Sequence, residues 1–363
     1  MKKRNNHIVF SFSFKALAVC LFSVLIILPS CKKEEEKIIK NYYSVGILSN
    51  EVLSYTNLKS VVKVRFFVLD KSNADGLVRF DINGRISLSG DYSGAIDSLK
   101  RITTPEKGNY SAAILMSNGL DVTINMNGIF DRMEPTVRKI IHGSLPSNEI
   151  LLAKVGDKQM PIELLSNGFI SNPGETDQII SQFFHTGNTE AFDTLRLLTA
   201  IDSMLDYLNA KSTYENQHLF IFMTRRKNYW QEINLYSLMN KALQSKVICH
   251  FLEFTEPYTW SNNNIHGFLE RLNAGTQGIY YKPPYSFDYN YDDGELPMDF
   301  LQISGKIPEM MQGGFDCFEV VMTLESPSPE FYNGCSYTSG LRIMLNTDFE
   351  QETVEVPFNF FIK

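Results

Sequence analysis

Short, almost wholly apolar runs separated by amphipathic stretches dominate the middle of this 363-residue chain. They occupy residues 112–116, 149–155, 218–223 and 247–254. Runs of this length, ended by turn-formers and spaced by helical patterns, fit strands buried on both faces of a parallel sheet. Between the first two, Ile129, Met133, Val137, Ile140 and Ile141 recur at helical spacing, and Pro135 predicts a helix starting near Glu134. Residues 177–184 read as a short helix. Phe192, Leu195, Leu198, Ile201, Leu205 and Leu208 mark a long one, for which Asn188 or Thr189 is a suitable N-cap. Further helices are expected at 231–246 and 264–274, and a closing strand at 276–281. This alternation predicts right-handed crossovers and an α/β fold with a doubly wound, mainly parallel sheet. Ligands of such sheets bind beyond the carboxyl ends of the strands. The first run ends abruptly at Ser117, Asn118 and Gly119, with Asp121 just behind, so a site is expected there.

The flanks follow a different period. Val62, Val64, Phe66 and Val68 alternate with Lys63 and Arg65, the signature of a half-buried strand. Residues 78–82 and 84–88 add shorter strands, so 44–107 reads as a small all-β unit of immunoglobulin-like size or less. At the other end, 318–324, 340–345 and 353–362 read as strands, with Val354, Val356, Phe358, Phe360 and Ile362 alternating cleanly. Each flank is small for a core of its own. The expectation is that 44–107 and 286–363 pair into one sandwich, with the α/β domain (108–285) inserted between them. Separate β domains are the alternative.

The chain opens with Lys2, Lys3 and Arg4, an apolar stretch over 16–28, and then Pro29, Ser30 and Cys31. That order is a secretory signal, and its apolar core is short for a membrane span. The segment Leu28-Pro29-Ser30-Cys31 resembles the lipobox of bacterial lipoproteins, which implies that Cys31 is acylated and becomes the mature N-terminus. Acyl chains at about 0.8 kcal/mol per buried methylene would tie the chain to a membrane. The run Lys32, Lys33, Glu34, Glu35, Glu36 reads plainly as part of a solvated tether over 32–43. It also resembles the surface-export signal of lipoproteins in the Bacteroides group, implying an outer-membrane lipoprotein on the cell surface rather than a periplasm-facing one. A net charge of −7 and a pI of about 5.5 leave no cationic footprint for nucleic acid. Cys20 lies in the signal, and Cys249 falls in an apolar run and reads as an inert core thiol. Cys317 and Cys335 share the strand-rich tail and could pair in an oxidising compartment. No His/Cys cluster has zinc spacing, and His185, His218, His250 and His266 read as structural. The acidic loop containing Asp288, Asp292, Asp293 and Glu295 matches no calcium-loop spacing and reads as solvated surface.

The order of elements over about 108–284 resembles a von Willebrand factor A domain. Residues 112–121 are similar to its first strand and metal-ion loop. Residues 187–189 correspond to the segment carrying the loop threonine, 219–224 to the strand ending in threonine-aspartate-glycine, and 268–281 to the closing helix and strand. In that family an aspartate, two serines, a threonine and a second aspartate hold magnesium through oxygen alone, leaving one position for a partner's carboxylate. Here Ser117 replaces the first aspartate, Gly119 the first serine and Asp121 the second. Thr189 is kept, and Thr224 is followed by Arg225 where the second aspartate belongs. A guanidinium at that place opposes a cation, so the resemblance implies a degenerate loop without cofactor. Mg2+ would fall to Asp121 and Thr189 if it bound at all. An Asp121–Arg225 ion pair would fill the space, and Arg225, Arg226 and Lys227 read as a solvated basic turn before an anion site. No nucleophile–base pair, paired acids or phosphate-cradling loop is evident, so no enzyme is expected. The expected function is a lipid-anchored cell-envelope binding or adhesion protein acting through protein–protein contacts. A structural or accessory lipoprotein of an envelope assembly is the alternative, with a hydrolase third.

Overall fold

The computed structural model describes residues 43–70, 76–78, 85–90, 92–117, 127–156, 160–185, 196–223, 233–254, 263–281, 298–326, 331–346 and 351–362. The apolar run at 112–116 forms β6 (Tyr110–Ser117), paired in parallel with β7 (Glu149–Val155) on one side and β9 (Asn216–Met223) on the other. Beyond β9 lie β10 (Ile248–Glu253) and β11 (Tyr280–Tyr281), both parallel. The opposite margin is β8 (Ile162–Leu164), antiparallel to β7. The six-stranded order is therefore β11-β10-β9-β6-β7-β8.

Successive side chains of a strand point to opposite faces. Ala112, Ile114 and Met116 accordingly enter one core and Ala113 and Leu115 another, all fully buried. The first core is closed by α1 (Asn127–Ser144), α2 (Pro173–His185) and α6 (Met298–Gln312). The second is closed by α3 (Leu197–Lys211), α4 (Leu235–Ser245) and α5 (Asn263–Thr276). Helices cover both faces, as a buried parallel sheet requires.

Several helix boundaries differ from the expectation. Helix α1 starts at Asn127 and carries Pro135 in its interior. An interior proline costs about 3 kcal/mol. Burial of Met133, Val137, Ile140 and Ile141, at about 1.5–3 kcal/mol each, outweighs it. Helix α3 begins at Leu197, with Arg196 at the N-cap position and no side-chain capping bond, so neither Asn188 nor Thr189 caps it. Asn234 caps α4, its Oδ1 accepting from the amides of Tyr236 at 2.9 Å and Ser237 at 3.3 Å. Helix α6 falls in a segment read as purely β. It packs along α1, where Gly143 allows the approach: a Cβ there would stand 2.7 Å from the Pro308 ring.

The remaining strands are antiparallel. β1 (Tyr43–Tyr55), β2 (Lys59–Asp70), β12 (Asp316–Glu325) and β5 (Ser93–Thr103) lie in that order, and β3 (Gly76–Leu77) pairs with β2. A three-stranded sheet runs β14 (Gln351–Phe361), β13 (Ser336–Asn346), β4 (Ile86–Ser89). The two ends of the chain thus interleave strand by strand. Val62, Val64, Phe66, Val320, Met322, Leu341, Ile343, Phe358 and Phe360 form the core between these two sheets. The other face of β2, through Phe67 and Leu69, joins the core under α1 and α6. The carboxyl half of β2 is therefore buried on both faces, which explains its unbroken apolar run from Phe66 to Leu69, while Lys63 and Arg65 alternate outward before it.

The Cys317–Cys335 bridge is not made, and both residues are free thiols. Alternation along β12 turns Cys317 toward the α1–α6 core, away from the three-stranded sheet that Cys335 leads into. Burial pushes the Cys317 and Cys249 thiols up to about 12, so both stay protonated at neutral pH.

Candidate functional site

The chain leaves β6 through α1 toward β7 on one side and later returns through α3 to β9 on the other. This reversal of strand order is a topological switch point, and the crevice beyond the carboxyl ends of β6 and β9 is the natural ligand position. The register sets Ser117, the last residue of β6, opposite Met223, the last of β9. Asn118 follows directly on Ser117, and Thr224 and Arg225 on Met223, so the two predicted loop segments start from neighbouring strand ends. Asn118, Gly119, Asp121, Thr189, Thr224 and Arg225 themselves lie outside the described residues, as do Cys31, the tether and the acidic loop at 288–295. Of Ser117 only the backbone position is described.

Two charged residues that the sequence reading passed over flank this carboxyl end. Glu253 ends β10 in register with Met223 and is fully buried. Lys154 sits beside Met116 on β7 and is nearly buried, its Nζ 2.9 Å from Glu163 on β8. Buried charges of this kind need partners or they destabilise the fold. A lone acid or lysine at the carboxyl end of an apolar run was the signal that would have found both. Among the described residues, no group of three or more His, Cys, Asp or Glu side chains is placed to hold a metal ion.

The amino end of the same sheet carries a buried polar cluster. His218 Nδ1 lies 2.9 Å from His250 Nε2, and His218 Nε2 lies 3.0 Å from Asn216 Oδ1. The Ile279 amide donates to His250 Nδ1 at 2.9 Å, and Asn216 Nδ2 donates to the Met311 carbonyl at 2.8 Å. Tyr110 donates its hydroxyl to Ser144 and stands edge-on to the His218 ring. Burial lowers both imidazoles. The neighbouring His250 and the field of Lys107 add to the fall at His218, and Lys107 adds to it at His250, which is lowered to about 3. Both rings are neutral at any physiological pH. At the surface, Arg138 bonds Glu134, Asp177 and Ser181, and Asp177 also meets His142, tying α1 to α2.

The β1–β2 turn offers a different kind of surface. Leu58 is 58% exposed and Tyr332 52%, with Leu53 and Tyr55 also exposed. The Ser326 amide donates to the Leu58 carbonyl and the Phe331 amide to the Asn57 carbonyl, so the turn and the segment holding Tyr332 form one tip. Alongside β1 is a cavity of about 490 Å³ lined by Asn50, Tyr55, Ala274, Gln277 and Phe361, among others. Asn50 is 5% exposed, and its Oδ1 finds no hydrogen-bond partner.

No protein-family model matches the chain, and no curated protein matches it significantly. Among solved structures it is similar to a von Willebrand factor type A protein from Catenulispora acidiphila, at 8% identity over 88% of this chain and 73% of that one, TM-score 0.39. The ArnB paralog VWA2 from Sulfolobus acidocaldarius matches at 10% identity over 89% of this chain and 76% of its own, TM-score 0.37. The manganese-loaded TRAP protein of Plasmodium vivax matches at 13% identity over 73% of this chain and 98% of its own, TM-score 0.33. At these TM-scores the doubly wound fold is read from this chain's own strand order.

Proposed function

We propose that this chain is a lipid-anchored binding protein of a bacterial cell envelope, that it engages a protein partner by contact rather than by chemistry, and that its α/β domain is a von Willebrand A-like one whose metal loop has lost its ion. Acylation at Cys31 supplies the anchor, and the charged segment that follows connects it to β1, which starts at Tyr43. The domain assignment is supported by the switch point between β6 and β9, from which the two loop segments start. The residues standing at the loop positions, Ser117, Gly119, Asp121, Thr189 and Arg225, offer one carboxylate and one fixed positive charge, which does not suit a hard divalent cation. No catalytic role or cofactor is assigned.

The observation that carries the binding reading is the exposure of Leu58 and Tyr332 on one tip, with Leu53 and Tyr55 exposed along the β1 strand that leads to it. Single exposed apolar residues are ordinary on a protein surface. Two on one tip, whose turn is held to the 326–331 side by backbone hydrogen bonds, with two more on the adjoining strand, mark an interaction patch. Exposed tyrosines suit an interface because they bury a large ring at little entropic cost.

The test is site-specific photo-crosslinking in intact cells from positions 55, 58 and 332, with position 236 as control. Tyr236 is 75% exposed on α4. The expected result is a protein cross-link concentrated at the tip, with the one from position 332 weakened at least about tenfold by Tyr55→Ala with Leu58→Ala. Equal cross-linking from position 236, or none from the tip, overturns the reading.

A further inference from the structure

The hydrogen-bonded chain through His250 and His218 runs in one direction only. At its start the Ile279 backbone N–H, which can only donate, points at His250 Nδ1. That nitrogen accepts, so neutral His250 carries its proton on Nε2 and gives it to His218 Nδ1. His218 must then hold its own proton on Nε2, and donates it to Asn216 Oδ1. The Asn216 amide donates onward to the Met311 carbonyl, which can only accept. With a fixed donor at one end and a fixed acceptor at the other, every proton position between them is determined.

Such a chain has no place for one more proton. On His218 Nδ1 it would face the Nε2–H of His250 across 2.9 Å. Switching His250 to its other tautomer only moves the conflict, setting an Nδ1–H against the Ile279 amide. Either arrangement presses two donors together in a buried site walled by the Tyr110 and Phe220 rings.

The surroundings give the charge no relief. Lys107, just ahead of β6, repels an imidazolium on either ring, and from β6 the titratable neighbour is Tyr110, whose phenol burial keeps protonated. From the α5–β11 turn the facing groups are the neutral Ile279 amide and, through Asn273, its carbonyl. From α6 come terminal carbonyls. Met311 accepts from Asn216, and Gln312 accepts from the amides of Lys107 at 2.7 Å and Gly108 at 3.2 Å. A helix C-terminus favours a cation, but only modestly beside full burial.

We propose that this chain of bonds is an acid-released latch, which holds the C-terminal end of α6 to the amino edge of the six-stranded sheet and lets it go when a proton enters the histidine pair. The release is local: β6 and its neighbours stay paired while the α6 end and the turn before β11 open. The latch stands independently of whether the hairpin tip binds a partner.

The full chain can be tested directly by nitrogen-15 spectra of its histidine rings. Two neutral rings with Nε2–H tautomers are expected at pH 7, neither titrating near 6.5. Hydrogen exchange from pH 7 to 4.5, corrected for intrinsic rates, should show protection at Ile279, Lys107 and Gly108 falling about tenfold or more relative to Ala113 and Ile114 in β6. His218→Gln should remove about half of that fall on a logarithmic scale, since His250 still takes up its proton on opening. An Nδ1–H tautomer in either ring, a midpoint near 6.5 in the folded chain, or equal loss of protection in β6 overturns the proposal. If His218→Gln does not fold, the spectra and exchange of the unaltered chain decide it.

Discussion

The two large sheets are put together on different principles. In the parallel sheet the steps along the chain are shorter: Ser111 on β6 meets Glu149 on β7, 38 residues on, and the longest, Tyr110 on β6 to Asn216 on β9, spans 106. In the antiparallel sheet the place between β2 and β5 goes to β12, whose Glu319 lies 254 residues from its partner Arg65. Closing the longer loop costs under about 2 kcal/mol more, because the entropy grows only with the logarithm of length. The difference is therefore small for stability and large for specification. The parallel sheet is encoded segment by segment, the antiparallel one only by the whole chain.

That contrast can be broken outright by removing β12. A chain ending at Phe315 keeps every strand and helix of the α/β part but loses β13 and β14 along with β12, leaving β2 and β5 without the strand between them. Limited proteolysis should cut residues 43–103 at least about tenfold faster than in the full chain, while a fragment spanning 110–312 persists. A protected N-terminal fragment would show that the first strands are self-sufficient.

Phe66→Ala comes next. The ring is fully buried and stacks on Phe318 at 5.5 Å, so the loss should be about 3–5 kcal/mol by urea unfolding. Acidification should act on the other sheet. The unfolded chain's histidines take up protons from about pH 6.5 downward, whereas His250 resists until about 3 and His218 is also held low. Stability is then full above pH 6.5 and falls below it by up to about 1.4 kcal/mol per pH unit for each ring, read from the urea midpoint.

A smaller effect is expected at Glu319. Burial raises its carboxyl, but bonds to Lys100 and Arg65, each 2.9 Å, outweigh that and hold it below the ordinary value. Its contribution is present above the ordinary carboxylate range and is lost as pH falls through the lowered value. Glu319→Gln should cost about 1–2 kcal/mol at pH 7, discounted for the exposed lysine. At the bottom of the scale, millimolar Mg2+ should leave the melting temperature unchanged. A clear upward shift would mean that the loop of Asp121 and Thr189 still holds an ion.

How much of this could be read from residues follows the same divide. The strands at 112–116, 149–155, 218–223 and 247–254 were legible because burial on both faces demands unbroken apolar runs. Strand β5 was not. Its Ile96 and Leu99 both reach the core between the antiparallel sheets although they stand three apart, because the register slips between Val321 and Met322. A bulge turns a period of two into something resembling a helix. Helix α6 was hidden the opposite way: Ile307, Met310 and Met311 have helical spacing, but Gly305 and Pro308 interrupt it. Of the candidate site, residue order alone placed Ser117 at the strand end. The charges flanking it, Lys154 and Glu253, were masked by the apolar runs that contain them.

The position of β12 also sets a timetable. Thr103 on β5 bonds Asp316, a residue made 213 positions later. At about 5–20 residues per second, the ribosome needs roughly ten to forty seconds to deliver it. Throughout that interval β2 and β5 have emerged with no strand to lie between them. The first strands can therefore complete their sheet only after nearly the whole chain has been made.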